Sequence, residues 1–231
     1  MSRIIPLSIL TLFIILSGCH SVPYAEMPVF LKDGVGWHKV RIEGEVNLFR
    51  LRILAEGLET LPGNMATRVQ AVVYHTNREH LASYYCGARE IYLAHALGGT
   101  ICFDASAIIA KKDIYHEVAH LYEAGLSRQI AKEWAALSGD IYRPNYRDFY
   151  GNYHEFGVVD AYGLVNARED IAVTVQEIYN YCADGDNKLA FAISRFTPEN
   201  KGKMLRKLKI LLETEMIDQE KHDKVKVLCE N

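Results

Sequence analysis

Residues 116–120 read His-Glu-Val-Ala-His. On a helix, positions four apart stack on one face, so His116 and His120 point the same way. Two imidazoles so placed can grip one tetrahedral Zn²⁺ at roughly 2.0–2.1 Å each. Glu117 is turned about 100° from His116 around the axis. That keeps its carboxylate off the metal but beside an open coordination position. There it can take a proton from water and return it to a leaving amine. The residue types matter: neutral imidazole binds the metal, while a free carboxylate moves the proton. The same letters also spell an amphipathic helix with a solvated histidine pair, because Ile114, Val118, Leu121 and Tyr122 account for core packing by themselves.

A catalytic zinc site of two histidines and one carboxylate leaves its fourth position open. The best source of that carboxylate is "YGLVNAREDIAVTV", residues 162–175, where Glu169 opens a helix. Ala172 lies on that helix where close approach to the histidine helix needs a small side chain. His154 and Glu155, in "NYHEFG", are a second source, since spacing does not exclude a loop ligand. His38, His75, His80 and His95 have no partner at ligand spacing and read as surface or capped core histidines. Trp134 and the tyrosines at 142, 146, 150 and 153 read as ordinary packing or as the wall of a substrate cleft.

Taken together, His-Glu-x-x-His, a gap of about 40 residues, Tyr162-Gly163, five residues and then Glu169-x-x-Ala172 resembles the catalytic domain of anthrax lethal factor and its relatives. Those are gluzincin-type metallopeptidases. The resemblance covers residues 107–180 and implies a zinc site with His116, His120 and Glu169 as ligands. It further implies Glu117 as general base and Tyr162 as the hydroxyl that stabilises the oxyanion. Many relatives carry a second carboxylate four residues after the ligand glutamate, where this chain has Val173. Asp170 and Asp113 are the neighbouring acids that can orient a metal-bound histidine instead.

The first residues, "MSRIIPLSILTLFIILSGCHS", join a short basic start to an apolar run from Ile4 to Leu16. That run has the length of a signal-peptide core and falls short of the roughly 20 residues of a membrane span. Leu16-Ser17-Gly18-Cys19 resembles the bacterial lipobox, in which the cysteine carries the lipid. The expected organisation is a signal peptide over 1–18, a linker over 19–43 and one domain over 44–231. The expected location is a bacterial membrane, facing the periplasm or the cell surface. Four cysteines remain, Cys86, Cys102, Cys182 and Cys229. In an oxidising compartment they suggest Cys86–Cys102 and Cys182–Cys229 disulfides. The net charge of −3 offers no global attraction to nucleic acid.

The elements that must position these residues follow from periodicity. Residues 44–60 have mostly helical spacing, stopped by "LPGN". "TRVQAVVYHT", "REIYLA" and "GTICFDA" read as strands, the last two joined at Gly98-Gly99. The histidine helix follows and ends near Gly125. "SRQIAKEWAAL", "NAREDIAVTVQEIYNYC", "NKLAFAISRF" and "PENKGKMLRKLKILLETEM" read as helices, with residues 138–160 an irregular loop. The lysines of "KGKMLRKLKI" read as a solvated helix face. The fold class is α+β and zincin-like: a small twisted sheet packed on the active-site helix, then a mainly helical part. The function expected is zinc-dependent hydrolysis of a peptide or protein substrate by a lipid-anchored enzyme. The alternative is a non-catalytic envelope lipoprotein that keeps the fold.

Overall fold

The structure, a computed structural model, describes residues 27–32, 37–44, 47–76, 94–143 and 145–231. The strands are β1 (Met27–Lys32), β2 (Trp37–Gly44), β3 (Ala71–His75), β4 (Ala94–Leu97) and β5 (Thr100–Asp104). They form one sheet in the order β1-β2-β3-β5-β4. β2, β3 and β5 run parallel, and the outer strands β1 and β4 run antiparallel to their neighbours. The central strand reads Ala-Val-Val-Tyr-His and is buried from Ala71 to Tyr74, the near-continuous apolar run that a parallel strand covered on both faces requires. The turn from β4 to β5 needs Gly98 and Gly99, whose φ values are +58° and +86°, a two-residue hairpin with both positions left-handed.

Helix α1 (Leu48–Thr60) is capped by Asn47, whose side chain accepts from the Arg50 amide at 2.9 Å. It ends at Leu61-Pro62, and the short α2 (Gly63–Ala66) follows. α3 (Lys111–Glu123) carries the histidine pair. One face of the sheet supplies Val40, Ile42, Val72, Tyr74, Ala96, Ile101 and Phe103 to a core shared with Leu51, Leu54 and Leu58 of α1 and Ile114, Tyr115 and Val118 of α3. α1 and α3 approach closely at Gly57, where an added Cβ would lie 3.0–3.1 Å from Ile114 carbons. Alanine there would push the two helices apart and loosen the seat of α3 on the sheet.

The remainder is mainly helical: α4 (Arg128–Ser138), α5 (Ala167–Tyr179), α6 (Lys188–Ser194), α7 (Pro198–Glu213) and α8 (Gln219–Glu230). Thr197 caps α7, with Pro198 as its first residue. Between α4 and α5 the chain makes three short 3₁₀ turns, at Tyr146–Phe149, Tyr153–Phe156 and Ala161–Leu164. The architecture is the α+β arrangement expected from the periodicity.

Two expectations are corrected, and one helix was missed. Residues 19–43 are not simply a linker, because β1 and most of β2 lie within them and pair into the sheet. Pro28 sits in the outermost strand, the sheet position that tolerates a residue without an amide donor. Helix α8 escaped the periodicity reading because it is strongly charged and buries only Val225 and Cys229. The Cys182–Cys229 disulfide is absent, and both thiols are free. Lys224 reaches the Cys182 carbonyl at 3.2 Å with the end of its long side chain. Cys102 is disulfide-bonded, and Cys86 lies outside the described residues. So do the expected signal segment, Cys19 and most of "REIYLA". Among the described residues no helix is long and apolar enough to cross a membrane.

Candidate metal centre

α3 presents His116 and His120 one above the other, their rings edge to face with centroids 4.7 Å apart. The third member comes from the first turn of α5. Asn166 caps that helix, accepting from the amides of Arg168 at 2.9 Å and Glu169 at 3.0 Å. The Arg168 side chain then reaches back to Glu123 at the end of α3, Nε to Oε2 at 2.8 Å. Ala119 and Ala172 are both fully buried where α3 packs along α5. The clasp and the small side chains together bring Glu169 up to the histidines.

The three candidate ligand atoms form a nearly equilateral triangle. His116 Nε2 and His120 Nε2 are 3.1 Å apart, and Glu169 Oε2 lies 3.1 Å from the first and 3.2 Å from the second. Ligands held tetrahedrally at about 2.05 Å from one zinc lie about 3.3 Å from each other. The donor set therefore fits a zinc ion in both chemistry and size. Of the described residues, this is the one cluster of three or more histidine, cysteine or acidic side chains with ligand spacing.

The electrostatics agree. Burial pushes Glu169 towards protonation, but its hydrogen bonds to His116 and His120 and their charges outweigh this and hold it down at about 2. Burial opposes charge on His116, yet the bond to Glu169 and the charges of Glu117, Glu169 and Asp113 hold it above its ordinary value. Glu117 is only 6% exposed. Burial raises its proton affinity, and His116 and His120 counteract part of that. A carboxylate so raised is a better base than an exposed one.

Tyr162 stands on the 3₁₀ turn that precedes α5, its ring 5.9 Å from that of His116. Burial first, then the charge of Glu169, raises its hydroxyl well above the ordinary tyrosine range, so the proton stays on. His154 and Glu155 lie outside the triangle. Asn200 instead binds their carbonyls, that of Glu155 at 2.9 Å.

Neither acid expected to orient the histidines does so. Asp170 is one position past Glu169 and therefore faces away from the triangle into the core. Its Oδ2 accepts from Trp134 Nε1 at 2.9 Å, Ser138 Oγ at 2.8 Å and Lys207 Nζ at 2.6 Å. Asp113 caps α3, accepting from the Ala110 amide at 2.8 Å, and reaches His116 only through its charge. Val173 is buried among apolar neighbours. His120 Nδ1 is correspondingly buried without a hydrogen-bond partner among the described residues.

Two features were not read from the sequence. Lys207, expected on a solvated face, is 1% exposed and is the cation of the Asp170 hub. Its spacing from Met204 and Leu211 sets it on the apolar stripe of α7, and that was the available signal. His95, read as isolated, sits half-buried on β4. Burial, then the charges of His120 and Arg168, lower its affinity for a proton, which places it at the margin of the site.

No protein-family model matches the chain, and no curated protein matches it. Among solved structures it is similar to a candidate zinc-binding metallo-peptidase from Bacteroides caccae, with 15% identity over 76% of this chain and 73% of that one and a TM-score of 0.45. The site rests on its own geometry.

Proposed function

We propose that the chain is a zinc-dependent metallopeptidase, tethered to a bacterial envelope by a lipid on Cys19. The observation that carries the chemistry is the His116–His120–Glu169 triangle, with donor atoms 3.1–3.2 Å apart and a buried carboxylate, Glu117, next to the first ligand. The tether rests on the residues around Cys19.

A bound zinc ion supplies a Lewis acid for the peptide carbonyl and acidifies water. His116, His120 and Glu169 would hold it. Glu117 takes the proton of the attacking water and passes it to the amine that leaves. Tyr162 keeps its hydroxyl proton and donates a hydrogen bond to the carbonyl oxygen as that oxygen becomes negative. Arg168 and Glu123 keep the two ligand helices in register throughout.

One observation favours a second reading, a non-catalytic lipoprotein that keeps the fold. Metal-bound histidines ordinarily have their other nitrogen fixed by an acceptor, and His120 Nδ1 has none among the described residues. This reading predicts bound zinc with no turnover.

Elemental analysis of the chain beginning after Cys19 separates the cases. Wild type should hold about one zinc, as a single three-ligand site does, and His116→Ala and Glu169→Ala should hold almost none. Equal zinc in all three would end the proposal. Glu117→Gln should keep its zinc and lose hydrolysis of a peptide library. Purified peptidoglycan in place of the library tests for cell-wall cross-links as the substrate.

A further inference from the structure

The candidate site does not end at Tyr162. The Tyr146 ring meets that of Tyr162 at 5.2 Å and 74°, and Tyr150 meets Tyr146 at 6.1 Å and 81°. With Tyr162 itself 5.9 Å from His116, the rings form an unbroken row that leads outward from the ligand triangle. The row is open to solvent, with Tyr162 38% and Tyr150 59% exposed. Arg147 steadies it, its guanidinium 5.9 Å over the Tyr146 ring and its Nε donating to the Tyr146 hydroxyl at 3.4 Å. Tyr142 and Tyr153 have no place in the row.

We propose that Tyr162, Tyr146 and Tyr150 are a specificity ledge that selects an aromatic side chain of the substrate, about two to five residues from the bond that is cut. The proposal rests on the peptidase reading and deepens it. The distance follows from the ring spacings, since extended peptide advances about 3.3 Å per residue. The ligand class follows from the ring angles. A sugar ring stacks on a flat aromatic face. Here each ring turns its edge to the next, so the row presents alternating edges and faces. Another aromatic ring continues such an edge-to-face series, because the positive ring edge meets the negative ring face. Exposed tyrosines also bring contact area at little cost in side-chain entropy.

The test uses zinc-loaded Glu117→Gln protein beginning after Cys19, titrated calorimetrically with alanine-based nonapeptides in which one phenylalanine is moved through every position. A β-1,4-linked N-acetylglucosamine oligomer serves as the sugar probe. One or two neighbouring phenylalanine positions should bind about tenfold tighter than the rest, the size that ring contacts supply. Tyr150→Ala, at an exposed position, should shrink that ratio, and Tyr146→Ala/Tyr150→Ala should bring it to about one. Equal binding at every position, a ratio unchanged in the double variant, or ledge-dependent binding of the sugar alone would overturn the ledge. The same peptides are then given to protein with Glu117 intact. Cleavage without ring preference defeats the ledge alone. Ring-dependent binding with no cleavage defeats the peptidase reading alone.

Discussion

Glu169 and Asp170 are neighbours on α5 with opposite fates. Asp170 is 1% exposed, and its cation is built in: Lys207 at 2.6 Å, with Trp134 and Ser138 completing the hydrogen bonds. Glu169 keeps 18% of its side chain exposed, and its partners are two histidines whose nitrogens also face each other. One carboxylate is satisfied by the fold. The other is organised around a space that suits an ion from outside. The first region holds α4, α5 and α7 together, and the second gathers the donors of the candidate metal site. The 100° between consecutive helix positions separates them.

The largest effect should come from the candidate metal site without disturbing the hub. Glu117→Gln should lower peptide hydrolysis about 10²–10⁴-fold, the usual worth of a general base, with zinc content unchanged. Single-turnover kinetics and elemental analysis on the same sample check both. The hub should fail differently. Lys207→Met leaves Asp170 buried without its cation and should cost about 3–5 kcal/mol, read as a lower urea midpoint. Adding Asp170→Asn should recover much of that loss, because the uncompensated charge then disappears.

The comparison sharpens further in metal-free protein. There Glu169→Ala loses the histidine bonds that depress its carboxylate and should cost about 1–3 kcal/mol, less than Lys207→Met. Added zinc should stabilise wild type only. The smallest effect lies away from both regions. Asp218 caps α8, accepting from the Lys221 amide at 2.8 Å. Burial raises its proton affinity, but the bonds and charge of Lys221 together outweigh that and depress it below the ordinary value. A depressed carboxylate contributes stability above its unfolded-state value, near 3.8, and loses it as pH falls through the lower folded value. Asp218→Ala should therefore cost about 1 kcal/mol at pH 7 and progressively less below pH 4, as thermal melts across that range would show.

Much of the site was legible because it is written locally. His116 and His120 share a helix face by spacing alone, and Asn166 before Glu169 is an ordinary helix start. The departures have equally particular causes. Lys207 was placed on the solvated face because it sits among lysines, although its spacing from Met204 and Leu211 sets it on the apolar stripe. Asp170 was given to the histidines because it is close in sequence, although one residue on a helix is a third of a turn. β1 was missed because Pro23, Pro28, Gly34 and Gly36 make the region read as a linker.

By itself, then, the sequence determined the composition of the candidate site: two imidazoles and a carboxylate on one helix, with a tyrosine and a second carboxylate some 40 to 50 residues on. Those choices follow from 3.6-residue periodicity and side-chain chemistry, which act over a few positions. Only the tertiary structure decided that Glu169 meets both histidines within 3.2 Å, that Asp170 serves the core, and that three tyrosines line up beside the ligand triangle. Those outcomes depend on how α3, α5 and the intervening turns pack, and packing joins residues that no local pattern connects.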